Sequence, residues 1–285
     1  MTGFETALRG NMEMLTYGIF FGALILLALL ETIIALRAEG AMRRRRWPAN
    51  FALTAINIVV LGALPLGAVA AADLARSLDI GLLNWLDAPF AAALALTFLA
   101  RSFGAWGVHY AMHNVPLLWR VHRVHHTDTH LDVSTTVRFH PLEFLISAPV
   151  AIGIVIALGL PPAAVMLFEL VDAGIAVFSH ANIRLPAGFE RLLNRIIITP
   201  NMHRIHHSTV ERETNSNYGA TLVIWDRVFG TYQRKERDAL ERQRLGLDEV
   251  DANRASSLWF SLGLPFREIK RNTDGNRVPD KTPGE

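Results

Sequence analysis

All eleven histidines of this 285-residue chain fall between His109 and His207. Their spacing is ordered: His109-x-x-x-His113, His122-x-x-His125-His126, a lone His180, and His203-x-x-His206-His207. Side chains three or four residues apart share a helical face and can reach one ion. The doublet in each HxxHH unit adds a ligand one step around the helix, so such a unit can serve two ions lying side by side. Two HxxHH units, one HxxxH and the lone histidine supply nine imidazoles, too many for one ion and natural for two. Imidazole suits zinc, copper, iron and nickel alike, so ligand type leaves the metal open. The chain has no cysteine, which excludes thiolate sites, iron–sulfur clusters and disulfides.

Other polar residues fall near these clusters. Asp128 and Asp132 follow the first HxxHH and could accept the free N–H of a ligating imidazole, or be solvated loop acids. Glu169 and Asp172 lie in an otherwise apolar stretch, where an unpaired charge costs at least about 2.5 kcal/mol, so function is the default reading for both. Asp172, Ala176 and His180 are spaced by four, which points Asp172 toward the centre or a substrate channel and makes it the candidate catalytic acid. Glu169 could instead reach the interface. Asn217 and Asp226 follow the last cluster. They are candidates to hydrogen-bond a ligand imidazole, with Gly219 where backbone approaches closely, or to serve folding alone. His130 reads as a surface or supporting residue.

The elements that must position these residues belong to a membrane protein. The chain is 51% hydrophobic and 19% charged with mean hydropathy +0.25, too apolar for an ordinary soluble domain. Leu15 to Leu36 is long enough to cross a hydrocarbon core of roughly 30 Å as a helix. It is too long, and lacks the basic start and cleavage site, for a secretory signal peptide. The run Arg43, Arg44, Arg45 and Arg46 follows and reads as a cytoplasmic loop. The basic residues are concentrated in that run and in the segment after residue 233, so nucleic-acid binding is a poor explanation. Further spans are expected at about 51–72 and 89–108, with an acidic external connection between them carrying Asp73, Asp79 and Asp87. Two shorter stretches, 142–160 and 163–178, meet at Pro161-Pro162 and read as a helical hairpin. Counting crossings puts every histidine cluster on one cytoplasmic face. The expected fold is all-α: three spanning helices plus a hairpin, with a cytoplasmic helical cap. The expected divisions are 1–108, a catalytic segment 109–232 including the hairpin 142–179, and a charged tail 233–285, with residues 238–255 helix-prone and the last dozen frayed.

Six motifs together carry a family resemblance. His109-Tyr110-Ala111-Met112-His113, His122-Arg123-Val124-His125-His126, Arg138-Phe139-His140-Pro141-Leu142-Glu143, His203-Arg204-Ile205-His206-His207, Asn217-Tyr218-Gly219 and the segment from Trp225 to Tyr232 resemble the fatty acid hydroxylase and sterol desaturase superfamily. The resemblance covers about residues 100–232. It implies a membrane oxygenase with a histidine-rich centre of two irons, zinc being a possible substitute, acting on a lipid. It makes His109, His113, His122, His125, His126, His203, His206 and His207 metal ligands, with His180 a ninth. Several members carry a further histidine where this chain has Ala176, which leaves one ion less tightly held or that position filled by water. His140 lies in a motif shared with sterol-acting branches and is either a ligand or supporting residue, or a local cap where the chain re-enters the membrane.

The expected chemistry is O₂-dependent hydroxylation or desaturation of a lipid C–H bond. No haem or flavin module is evident, so electrons are expected from a separate protein, and Arg204, Arg212, Arg227 and Arg234 could favour an acidic donor. A missing retention signal and a short chain point to a bacterial inner membrane. The rival readings are a membrane zinc hydrolase and a metal-handling transporter. The first is disfavoured because HExxH is absent and no glutamate adjoins a ligand pair in sequence. The second would place ionisable groups along a path at the bilayer midplane, whereas these gather at one interface.

Overall fold

The computed structural model describes residues 3–38, 42–86 and 88–268. Asp87 and the frayed tail expected at the C-terminus lie outside the described residues. Among the described residues there are helices, turns and isolated β-bridges but no strand. The helices of the first half are α1 (Gly3–Gly10), α2 (Met12–Ile33), α3 (Met42–Gly62), α4 (Ala68–Ser77), α5 (Leu82–Trp85), α6 (Phe90–Asn114) and α7 (Pro116–His126). A 3-10 turn at Val133–Val137 leads to α8 (Pro141–Leu158) and α9 (Pro162–His180). The remainder is short: α10 (Ala187–Leu193), α11 (Pro200–His206), α12 (Glu211–Thr214), α13 (Ile224–Val228), α14 (Arg237–Arg242), α15 (Ala252–Ala255) and α16 (Leu258–Gly263).

Four helices, α2, α6, α8 and α9, are long and apolar enough to cross a membrane. At 1.5 Å per residue α2 extends about 33 Å, which matches the hydrocarbon core. Its inner side packs Leu24 and Leu27 against Val177, Ala181 and Ile183. Its outer side leaves Ile25, Leu26, Leu29 and Ile33 exposed, as a lipid-facing helix would. The hairpin forms as expected from Pro161-Pro162. Gly159 ends α8 at φ 60°, and Pro162 opens α9. A glycine past one helix end and a proline inside the next start stop and restart the helix. A Cβ on Gly159 would also lie 2.8 Å from Asn84 Nδ2 and 3.0 Å from Ile80 O, where the turn before α5 crosses the hairpin tip.

The apolar segment expected to span at 51–72 is not one helix. α3 starts among the arginines and stops at Gly62, and α4 begins separately at Ala68 beyond Pro65. Proline and the flanking Gly62 and Gly67 outweigh the mean hydropathy of the stretch. α4 instead lies against α8, burying Ala71 and Ala72 beside Val155 and Leu160. α6 runs beyond residue 108, so HxxxH sits on the last turns of a candidate span rather than in a following segment. The helix-prone stretch 238–255 carries two short helices, α14 and α15, with Leu240, Leu245 and Val250 buried.

Buried polar contacts tie the arginine-run end of the bundle to the histidine segments. Glu31, which interrupts the apolar run of α2, accepts from Val133 N at 3.0 Å and Asn182 N at 2.7 Å and pairs with Arg43. Arg46 is fully buried and pairs with Asp128 and Asp132. Arg138 donates to Val124 O at 3.0 Å, Asn50 Oδ1 at 2.7 Å and Ala255 O at 2.6 Å, joining α7 to α3 and the C-terminal pieces. The arginine run and both HxxHH units therefore occupy one end of the molecule.

Candidate metal centre

Two sets of imidazoles converge at that end. His109, His113, His122, His126 and His206 form one group, and His125, His180, His203 and His207 the other. Within each, one ligand atom per residue lies within 4.8 Å of all the others. The helical phase explains the division. On α7 the i,i+4 pair His122 and His126 faces the first group while His125, between them, faces the second. On α11 and its C-cap the sense is reversed: His203 and His207 face the second group and His206 the first. The groups adjoin, with the His126 and His207 rings stacked at 4.6 Å.

The first group is held from outside. His109 Nδ1 donates to Tyr218 O at 2.8 Å, His206 Nδ1 to Ser216 O at 2.7 Å, His113 Nδ1 to Asn215 Oδ1 at 3.3 Å and His122 Nδ1 to Glu143 Oε1 at 3.0 Å. Carbonyl and carboxylate oxygens only accept, so the proton resides on Nδ1 and the lone pair on Nε2 faces inward. Nε2 of His109, His113 and His206 is buried without a hydrogen-bond partner. Metal-ligating histidines are oriented in this way.

The second group has less outer support. His180 Nδ1 donates to Ala176 O at 2.7 Å, whereas Nδ1 of His125, His203 and His207 is buried without a partner. Their Nε2 atoms crowd together, at 3.3 Å for His125 to His180, 2.9 Å for His180 to His203 and 3.1 Å for His203 to His207. Burial, and then the neighbouring imidazoles, push the His125, His126, His203, His206 and His207 rings below the ordinary imidazole pKa. These are neutral rings with lone pairs aimed at one another, a donor set that a cation in each group satisfies. The residues fit two metal ions, and the all-nitrogen donors suit a late divalent metal rather than magnesium or calcium.

The fatty acid hydroxylase family model matches residues 94–231, the segment that contains all nine histidines. Ornithine lipid hydroxylase OlsE of Rhizobium tropici is 29% identical over 247 residues, which cover 83% of this chain and 73% of that protein. Alkylglycerol monooxygenase of Homo sapiens is 29% identical over 220 residues, 73% of this chain and 46% of its own. The chain thus spans under half the length of that relative. A cholesterol 25-hydroxylase-like protein of Danio rerio is 30% identical over 141 residues, 48% of this chain and 54% of its own. Residues 94–231 are thus similar to the fatty acid hydroxylase family. No solved structure matches it.

Several residues expected at the centre stand elsewhere. Asp128 meets Arg46, Asn50 and Thr135 rather than an imidazole. Burial alone would raise its pKa, but the Arg46 guanidinium holds it at about 2. Asp132 caps the 3-10 turn at Ser134 N and accepts from Trp47. His140 is a cap: its Nδ1 accepts from Leu142 N at the start of α8, and Nε2 lies 3.2 Å from Leu262 O. His130 ring contacts stay local, Nδ1 lying 3.0 Å from Thr129 Oγ1. Arg204 is not a surface residue; it is buried and donates to Asn182 Oδ1 at 2.8 Å. Arg212, Arg227 and Arg234 are exposed.

Asn217 and Asp226 touch no ligand imidazole and act one step removed. Asn217 takes a left-handed φ of 52°, its side chain bonded to Met202 O and to Gln233 N and O. Asp226 accepts from Tyr218 N at 2.8 Å, Gly219 N at 2.9 Å and Trp106 Nε1 at 3.2 Å. Together they fix the loop whose Ser216 and Tyr218 carbonyls orient His206 and His109. Gly219 is a close approach: a Cβ there would sit 2.6 Å from Ile198 Cδ1 and 2.8 Å from Asp226 Oδ2. Sequence reasoning missed Glu143 and Asn215. Glu143 carried a signal in retrospect, an acid opening an apolar helix, but its partner is 21 residues away.

A cavity of about 800 Å³ opens from the centre into the bundle. His109, His122, His125, His180 and His203 line one end, and Tyr17, Phe21, Ile58, Leu61 and Val69 line parts of the apolar remainder. Asp172 is in the wall, accepting from Thr221 Oγ1, and Arg101 stands 3.9 Å from Glu169.

Proposed function

We propose that the chain is a membrane-bound, O₂-dependent lipid hydroxylase whose nine histidines hold two irons, with desaturation as the related outcome of the same hydrogen abstraction. One observation carries this reading: an apolar cavity sized for a lipid chain ends on the imidazoles of both groups. The relatives are hydroxylases and monooxygenases acting, by name, on ornithine lipid and alkylglycerol, which supports an oxidoreductase acting on a lipid. When bound, the two irons would supply the oxidant that a strong aliphatic C–H bond requires. The protein's own part is to bury and orient the imidazoles, exclude water with apolar walls and direct one carbon toward the histidine end. Asp172, in the cavity wall, would position the substrate. Electrons would come from a separate protein docking on the cap near Arg212, Arg227 and Arg234. The site would face the cytoplasm, in a bacterial inner membrane.

A zinc hydrolase would need a base beside the metal, and the structure does bring Glu143 close. Glu143 meets His122 at the outer nitrogen, however, which is the place of an orienting partner. The test is metal content of protein purified anaerobically from iron-replete cells. About two irons per chain, with one lost in His206→Ala and the other in His125→Ala, together with oxidised lipid in expressing cells, is the expected result. One tightly held zinc, or metal unaffected by both substitutions, would overturn the proposal.

A further inference from the structure

Arg101 lies eight residues before His109 on α6, with its side chain in the cavity wall and 12% exposed. Its guanidinium makes no hydrogen bond to any described residue, and Nε and Nη1 are buried without partners. The nearest counter-charge, Glu169, is 3.9 Å from Nη2, beyond hydrogen-bond range. The Glu169 carboxylate likewise accepts no hydrogen bond from a described residue. Asp172, one turn along α9, keeps a single partner, Thr221. Phe168 lies against the guanidinium at 5.2 Å, so the planar group is fixed while its donors remain free.

A charge inside a membrane span is unfavourable unless it is paired, and a charged donor left without its hydrogen bonds is costly in a low-dielectric wall. The planar fork of arginine matches a carboxylate or phosphate bidentately. An open carboxylate beside it suits an ammonium. We propose that Arg101, Glu169 and Asp172 form a polar subsite that binds a zwitterionic group of the substrate lipid, Arg101 taking its anionic part and the two acids its ammonium. This rests on the reading of the cavity as a lipid site. Arg101 and Asp172 each precede a metal-facing histidine by about two turns, about 12 Å along the helix. The two helices thus present the subsite at one level, set back from the centre, where it would fix which carbon reaches the histidines.

The experiment is binding of three chain-matched probes to the purified full chain in detergent: N-palmitoyl-ornithine, N-palmitoyl-glycine and hexadecanol. The wild type should bind them in that order, with steps of about tenfold or more. Arg101→Gln should lose about tenfold or more for both carboxylates and leave hexadecanol unchanged. Arg101→Lys should recover part of the loss, and Glu169→Gln should erase the preference for ornithine over glycine. If all three probes bind the wild type equally, or if Arg101→Lys and Arg101→Gln keep its ranking and affinities, Arg101 and Glu169 merely pair with each other and the subsite is refuted while the lipid cavity stands. If no probe binds, hexadecanol included, the lipid reading falls and the subsite with it. The wild-type ranking and Arg101→Lys decide the matter even if Arg101→Gln does not fold.

Discussion

The two histidine groups use the same ligand type in opposite ways. In the first, four rings are locked through Nδ1 to Tyr218 O, Ser216 O, Asn215 and Glu143, so the lone pairs are aimed before any ion arrives. In the second, only His180 has such a lock, and the other three rings are held by packing. Outer hydrogen bonds raise ligand basicity and fix ring orientation, and losing one typically costs about 10- to 100-fold in metal affinity. The difference teaches that ions held by two adjoining histidine groups need not be equivalent. The first group should retain its ion, and the second should exchange it.

The largest effects expected are those of ligand removal. His206→Ala should cost the first group its ion and His207→Ala the second, each lowering lipid oxidation by at least about a hundredfold, by analogy with the smaller loss for outer partners. Metal analysis checks this, and loss of both ions in both variants would merge the groups into one cooperative unit. Next is chelation of the wild type, which should proceed in two phases. The second group should empty first, at a chelator concentration about 10-fold or more below that needed for the first. A single phase would erase the asymmetry.

Glu143→Gln sharpens the same point. It should weaken the first group by about tenfold and bring the two chelation phases together, without changing the ion of the second. Gly219→Ala acts on the loop and not on a ligand. The contacts a Cβ would meet there predict about 1–3 kcal/mol of lost stability, read as a lower denaturation midpoint, with weaker metal retention confined to the first group. The smallest effect on the metals belongs to Asp172→Asn. Metal content should be unchanged and KM for lipid raised, which separates the cavity wall from the centre. Loss of iron in that variant would place Asp172 in the ligand network instead.

The histidine groups were legible because helical spacing is local information: three- and four-residue intervals declare a shared face without any knowledge of the fold. The hairpin was legible for the same reason, Pro161 and Pro162 lying between two apolar arms. Contacts over long separations were not. The lock of His122 depends on how α8 docks, and nothing near His122 announces Glu143. Asp128 illustrates the converse error. Its place beside HxxHH suggested an imidazole partner, but Arg46, 82 residues earlier, claims it. Mean hydropathy misled at 51–72, where Gly62, Pro65 and Gly67 already marked the break between α3 and α4. Arg204 misled because a cation between two ligand histidines reads as solvent-facing, whereas the short α11 is buried nearly all round.

Two locks of the first group are peptide carbonyls, of Tyr218 and Ser216, and a third in the second group is that of Ala176. A peptide oxygen persists whatever side chain its residue carries. Alanine scanning across this loop would therefore report residues 216 and 218 as dispensable to the hydrogen bonds they make, and drift at those positions would leave the tuning of His109 and His206 intact. The vulnerable points are instead those that set the path of the chain, the left-handed Asn217 and the crowded Gly219. The electronic character of these ligands is thus inherited through loop shape and not through the identity of any neighbouring side chain.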